Sequence, residues 1–308
     1  MKTRLYHNAI FAEHLTGPGH PERPERMRAV ESALEDETFH LLEREEAPEG
    51  RLQDVYLCHP ETYVRRVAKA TPSEGLARID DDTIVSPRSF AAALYGVGAA
   101  CAAVDDVFSG EIDNGFVAAR PPGHHAERET AMGFCLFNQA AIAARYAQTR
   151  HGASRVAIVD WDVHHGNGTQ DIFWEDPSVL YASLHQMPLY PGTGAVSETG
   201  AGNIFNAPLR AGDGGEAFSE AFTSRVLPAL NDFQPDFLII SAGFDMHHRD
   251  PLAEINLTEN DFSWATAQLM GVADRFCGGK LVSVLEGGYD LTGLGKSVAA
   301  HVQRLMTG

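Results

Sequence analysis

The stretch from Arg155 to Gln170, Arg-Val-Ala-Ile-Val-Asp-Trp-Asp-Val-His-His-Gly-Asn-Gly-Thr-Gln, constrains this chain more than any other. Val156 to Val159 is a short apolar run of the kind a strand buried on both faces presents. Asp160, Asp162 and His164 then follow at every second position. In extended backbone, side chains at i, i+2 and i+4 point to one face. The spacing therefore predicts two carboxylates and an imidazole gathered where the strand runs out. Gly166 and Gly168 turn the chain, and Thr169 onward can begin a helix. Carboxylate oxygen and imidazole nitrogen are donors that a borderline divalent ion such as zinc accepts. Taken alone, an Asp-x-His is more simply an acidic strand end with a solvated histidine. The rest of the chain argues against that simpler reading.

Other apolar runs end in the same way. Gly115 to Ala119 runs into Arg120-Pro-Pro-Gly-His-His-Ala126, where two prolines and a glycine make a stiff exit that presents His124 and His125. Asp236 to Ser241 leads through Ala242-Gly-Phe to Asp245, and Lys280 to Leu285 leads into Glu286-Gly-Gly-Tyr289. Leu5 to Phe11 reads as a first strand, and Ser178 to Leu184 as a later one that His185 ends. Helices are predicted from near Pro24 through Leu34, over Pro60 to Ala70, Phe90 to Phe108, Ala140 to Gln148, Glu216 to Asp232, Phe262 to Arg275 and Leu291 to Met306. Ser86 as N-cap and Pro87 at the first helical position open the third, and Thr258 to Asp261 resembles a capping box. Glu43 to Gly50 reads as a charged connection, and Pro188 to Gly215 as a long glycine-rich loop region. This alternation predicts one α/β domain over residues 1–308, with a mostly parallel central sheet and helices on both faces. In such sheets ligands bind beyond the carboxyl ends of the strands, where His124, His125, Asp162, His164, Asp245 and Tyr289 all fall.

Composition bounds what these groups act on. With 24 Lys and Arg against 42 Asp and Glu, the formal net charge of −18 argues against a nucleic-acid surface. It suits cationic substrates such as polyamines or lysine-rich peptides, and serves solubility equally well. The N-terminus lacks the apolar run of a secretory signal, and no apolar stretch reads as long enough to span a bilayer. Cys58, Cys101, Cys135 and Cys277 are scattered, with no Cys-x-x-Cys, as expected of a reduced cytoplasmic protein.

Asp162, His164 and Asp245 would give zinc three protein ligands and leave positions open, as in catalytic rather than structural sites. Such an ion polarises a water and a carbonyl. His124 and His125 stand ready to take a proton and return it to a leaving amine. Asp160 would orient one imidazole and Asn167 the other. Tyr289, beside two glycines, can donate its hydroxyl to an oxyanion. The chemistry these groups spell is metal-assisted amide hydrolysis.

Arg120-Pro-Pro-Gly-His-His-Ala, Gly133-Phe-Cys, Asp160-Trp-Asp-Val-His-His-Gly-Asn-Gly-Thr-Gln, Ser241-Ala-Gly-Phe-Asp and Glu286-Gly-Gly-Tyr, in that order, resemble the zinc-dependent histone deacetylase family. The resemblance covers almost the whole chain. Asn167 and Pro-Pro-Gly-His-His-Ala resemble the class II branch and its bacterial relatives. The resemblance implies the arginase/deacetylase α/β fold, with one Zn2+ on Asp162, His164 and Asp245 and Tyr289 as oxyanion donor. It implies His125 as main general base and acid, with His124 paired to Asp160. It further implies a structural K+ held through main-chain oxygens near Asp160, Asp162 and His164, with Ser183 and Leu184. An acyl tunnel is implied too, with Gly133 and Phe134 on one wall. On the other stands Tyr190, preceded by Leu189 where family members often carry paired phenylalanines. Asp82, the last of an acidic triplet, falls at the loop position that holds substrate backbone amides.

The activity so implied is removal of acetyl groups from N-acetyl-lysine side chains or related amines. An acetylpolyamine amidohydrolase shares every one of these residues. Polyamine-selective relatives of the class II type carry an acid in an Asp-Pro-Glu stretch, whereas Asp250-Pro-Leu-Ala253 places Leu252 there, which favours acyl-lysine. An inactive acyl-lysine binding module would need a broken motif, and none is broken. An arginase-like dimetal hydrolase would need more acids at the strand ends. Loop residues 192–215 leave a homo-oligomer open.

Overall fold

The computed structural model describes residues 1–308. In chain order its strands are β1 (Thr3–His7), β2 (Glu43–Glu46), β3 (Ala77–Arg78), β4 (Ile84–Val85), β5 (Asn114–Val117), β6 (Val156–Asp160), β7 (Val179–Gln186), β8 (Ile204–Leu209), β9 (Phe237–Ala242) and β10 (Leu281–Leu285). Eight of them form one sheet in the order β2-β1-β5-β10-β9-β6-β7-β8, every neighbouring pair parallel. Strands β3 and β4 make a separate antiparallel pair. The valine-, isoleucine- and leucine-rich runs are the central strands, because only a strand covered on both faces can be apolar at every position.

Both faces are covered. A Cβ on Gly115 of β5 would meet Ala103 of helix Ser89–Ser109 at 3.4 Å. Its neighbour Phe116 meets instead the ring of His301, on helix Leu291–Thr307. A cluster of 87 buried apolar residues runs through both layers. The strand ends are level: Asp160 pairs with Ser183 on one side and Ser241 on the other. Chain leaving β6, β9 and β10 therefore emerges at one rim.

Several boundaries differ from expectation, each for a local reason. The first strand stops at His7, because the Asn8 side chain accepts from the Ile10 amide and winds Ala9–Ala12 into a 3-10 turn. The alanine-rich helix begins at Ser89, not Pro87. Ser86 Oγ is occupied by the Leu15 amide at 2.9 Å and is no cap. Glu43–Glu46 is not a connection but an edge strand, with Arg4 of β1 holding Glu43 at 2.8 Å. Charge on an edge is compatible with pairing on one side and repels further strands on the other. The expected loop 188–215 contains strand β8. Helix Ser89–Ser109, at 21 residues, is long and apolar enough to cross a bilayer, contrary to the reading from sequence. Its apolar window is 67% buried against the sheet and its neighbours.

Candidate active site

β6 delivers Asp160 fully buried, and the strand ends there. Residues beyond it do not continue the extended alternation. Asp160 Oδ1 accepts from the Asp162 amide at 3.0 Å, and Asp162 Oδ1 from the His164 amide at 2.9 Å. Two successive side-chain-closed turns, rather than a pleat, bring Asp162 and His164 together. Asp245 arrives from the exit of β9 and fixes the same turn by accepting from the Val163 amide at 2.8 Å. His164 Nδ1 then lies 3.1 Å from Asp162 Oδ1 and 3.2 Å from Asp245 Oδ2.

This trio fits a divalent ion. Its donor atoms all lie within 4.8 Å of one another. Bonds of about 2.0–2.1 Å to a tetrahedral ion would separate donors by about 3.3 Å. The backbone around them is cut away: a Cβ on Gly243 would fall 2.3 Å from Asp162 Oδ2, and one on Gly287 2.3 Å from Asp245 Oδ2. The two carboxylates favour a cation beside them, and against the effect of burial they raise His164 to about 10. Burial opposes ionisation of Asp245 and the Asp162 carboxylate adds to it, raising Asp245 to about 7.

The exit of β5 places His124 and His125 beside this trio, ring centroids 4.0 Å apart. His124 Nδ1 lies 3.0 Å from Asp160 Oδ2, and His125 Nδ1 lies 2.8 Å from Asn167 Oδ1. The two rings differ in charge. Burial works against the cation at His124, but the Asp162 and Asp160 carboxylates outweigh it and raise it to about 10. At His125 burial and the neighbouring His124 and His164 act together, and its pKa falls well below the usual range. Tyr289, from the turn after β10, has its phenol pushed well above its ordinary value by burial, and it stays protonated.

Above these groups opens a cavity of about 220 Å3 lined by Asp82, His125, Gly133, Phe134, His164, Leu189, Tyr190, Leu252 and Tyr289. Gly133, Phe134, Tyr190, Leu252 and Asp82 thus line one cavity. Gly133 has φ +57°, and a Cβ there would lie 2.4 Å from the His125 ring. Phe134 itself sits at φ 68°, a conformation bulky residues avoid, and its amide donates to Thr83 Oγ1 at 3.1 Å. Tyr190 stands edge-on to His125 at 5.2 Å. Ser183 Oγ lies 2.9 Å from His185 Nδ1, and Leu184 is buried beside it.

Other groups at the site were not singled out from sequence. Glu286, fully buried, accepts from the Gly123 and His124 amides at 2.7 and 3.1 Å, and from Ser241 Oγ at 3.2 Å. Tyr181 donates its hydroxyl to Asp160 Oδ2 at 2.9 Å. Buried Glu22 pairs with Arg120 and with Arg26. The Arg26 guanidinium lies 5.0 Å from the Tyr289 ring centroid and donates to the Gly288 and Glu286 carbonyls. The one hint in the sequence was the pair of Pro-Glu-Arg triplets that begin at Pro21 and Pro24.

A parallel α/β sheet that gathers an Asp-His-Asp trio able to hold a metal ion, a histidine pair and a buried tyrosine at one rim is the setting of a hydrolase of the amidohydrolase type. Comparison with known proteins gives the family. The histone deacetylase domain matches residues 20–305. An uncharacterized protein of Synechocystis is 44% identical, over 98% of this chain and 99% of its own length. A histone deacetylase-like amidohydrolase of Pseudomonas aeruginosa is 41% identical over 88% of this chain and 73% of its own. The crystal structure of the HDA15 HD domain superposes with a TM-score of 0.92 at 38% identity, covering 99% of this chain and 91% of that one. The chain belongs to the histone deacetylase family.

Proposed function

We propose that this protein is a zinc-dependent amidohydrolase that removes acetyl groups from N-acetyl-lysine side chains or closely related amines. The observation that carries this reading is the meeting of the Asp162–His164–Asp245 trio with His124, His125 and Tyr289 at the base of one cavity. Asp162, His164 and Asp245 would hold Zn2+, which when bound polarises an amide carbonyl and acidifies water.

The chain's own residues supply the proton handling. His125 is neutral, and an Nδ1–H donated to the Asn167 carbonyl oxygen leaves Nε2 as a free base. His125 Nε2 takes the proton of the attacking water and passes it to the leaving amine. His124, charged against Asp160, offers positive charge beside it. Tyr289, a neutral phenol, donates its O–H to the developing oxyanion. The apolar walls Phe134, Tyr190 and Leu252 would take the substrate's methylene stem, and half-buried Asp82 at the mouth would accept from its backbone amides.

A structural K+ would use main-chain oxygens around Asp160, Asp162, His164 and Leu184 with Ser183 Oγ, since Asp160 and Ser183 are level in the sheet. A cytoplasmic setting suits four unpaired, buried cysteines. Residues 1–308 are taken as one domain on the strength of the shared core.

The net charge of −18 favours a cationic amine without choosing between peptide and polyamine. The test is turnover by the zinc-loaded protein on an acetyl-lysine peptide and an acetylated polyamine side by side. Preference for the peptide supports the lysine reading and the role given to Leu252. Preference for the polyamine moves the substrate to small amines, and turnover of neither sinks the acetyl-amine reading. Tyr289→Phe should keep zinc and lose about 100- to 1000-fold in kcat.

A further inference from the structure

Asp250 lies five residues beyond Asp245 and is 7% exposed. It is the acid of the Asp-Pro-Leu stretch, and its neighbourhood is made of donors. Asp250 Oδ2 accepts from the Tyr289 amide at 2.7 Å and from the Asp290 amide at 3.2 Å. Its Oδ1 accepts from the Leu252 amide at 3.0 Å. Leu252 and Tyr289 line the same cavity from opposite chain segments. One carboxylate therefore ties the tyrosine turn to the loop that carries Leu252 into the cavity wall.

The residue type is dictated by this arrangement. Three N–H groups converge on one side chain, and an ionised carboxylate is acceptor-only, so it satisfies all three. An asparagine of the same shape would turn its NH2 against at least one N–H donor and leave that donor buried without a partner. The position also suits negative charge. Tyr289 and Asp290 immediately precede helix Leu291–Thr307, whose unpaired amides and dipole favour an anion at that end. Asp290 caps that helix through the Gly293 amide at 2.7 Å, so the turn is anchored on its far side. Arg26 holds the Gly288 carbonyl at 2.7 Å from below. With those two anchors fixed, the remaining freedom of the Tyr289 backbone is what Asp250 removes.

We propose that Asp250 is a positioning residue that sets the Tyr289 hydroxyl against the reacting carbonyl and at the same time sets Leu252 in the cavity wall. This rests on the amidohydrolase reading above. It acts through backbone amides and touches no reacting atom. A displacement of about 1 Å in such a group costs about 100-fold in rate, so loss of one arm of the brace should be felt chiefly in kcat.

The experiment is a double-mutant cycle on the zinc-loaded protein. Asp250→Ala, which removes the acceptors of all three amides, should keep its zinc and lose about ten-fold or more in kcat, with a smaller change in KM. Combined with Tyr289→Phe it should lose nothing further, because the hydroxyl it positions is already gone. The peptide-to-polyamine selectivity should shift in Asp250→Ala and not in Tyr289→Phe. A double variant slower than Tyr289→Phe by the full Asp250→Ala factor overturns the proposal, since the two losses would then be independent. Unchanged selectivity removes Leu252 from it. Should Asp250→Ala fail to fold, the same cycle is run with Asp250→Ser, whose hydroxyl oxygen still accepts from one amide. Amide hydrogen exchange separates this proposal from the amidohydrolase reading. The Tyr289 and Asp290 amides should exchange faster in the variant while Gly123 and His124, held by Glu286, stay protected. Equal protection throughout would sink the brace even in a protein that turns over no acetyl amine.

Discussion

At the scale of single residues, the site is shaped as much by missing side chains as by those present. Gly287 and Gly243 leave room for two carboxylates that a methyl group would displace. Gly287→Ala should therefore weaken zinc binding although glycine donates nothing to the ion, and metal content after dialysis against a chelator measures it. Asp245→Ala, which removes a donor outright, should lose the metal altogether, and full occupancy in that variant would mean the ligand is elsewhere. Gly133→Ala meets two obstacles, the positive φ and the His125 ring. It should lower stability by about 1 kcal/mol or more and kcat with it, read by denaturant melts and turnover. Asp245 was legible early because it stands at the exit of an apolar run, and Gly133 because it opens the Gly-Phe-Cys motif, whereas the room left by Gly243 and Gly287 shows only in the fold. Asp250, Glu22 and Arg26 were not legible, because the partners that tie them to the site are far off in sequence: 260 and 262 residues separate Arg26 from the carbonyls it holds.

At the scale of elements, the strands that could be recognised are those buried on both sides. β6, β9 and β10 carry apolar side chains at nearly every position, and β5, Asn-Gly-Phe-Val, is buried throughout. β2, with the sequence Glu-Arg-Glu-Glu, has no hydrophobic signal at all and pairs only because Arg4 and the backbone of β1 receive it. β8 was hidden by the glycines around it. The last helix shows a different balance, for it carries a buried histidine. Thr266 Oγ1 donates to the Phe262 carbonyl, so His301 Nδ1–H donates to Thr266, and Nε2 accepts from Ser283 Oγ at 2.9 Å. Phe116, Trp161 and Phe244 surround the ring. Burial lowers His301 to about 3, against about 6.5 in the unfolded chain. Because the folded state holds it neutral, its contribution is complete above pH 6.5 and is lost as pH falls from 6.5 towards 3. His301→Gln keeps a donor and an acceptor but does not titrate. Its Tm should fall less steeply than that of the wild type between pH 6.5 and 4, and parallel curves would refute the assignment.

At the scale of the whole molecule, the sheet accounts for where chemistry collects: loops from distant parts of the chain meet at one rim because the strands that precede them run the same way. The same architecture leaves every native thiol inside. Cys58, Cys101, Cys135 and Cys277 are unpaired and buried. Burial raises Cys58 and Cys277 to about 12 and the other two well above the ordinary range. A disulfide reagent should find no fast-reacting thiol in the folded protein and four after unfolding. The folded chain is in effect silent to maleimide chemistry. A single cysteine introduced on the exposed rim, at Val196 for example, would take up one fluorophore or spin label with no native thiol removed.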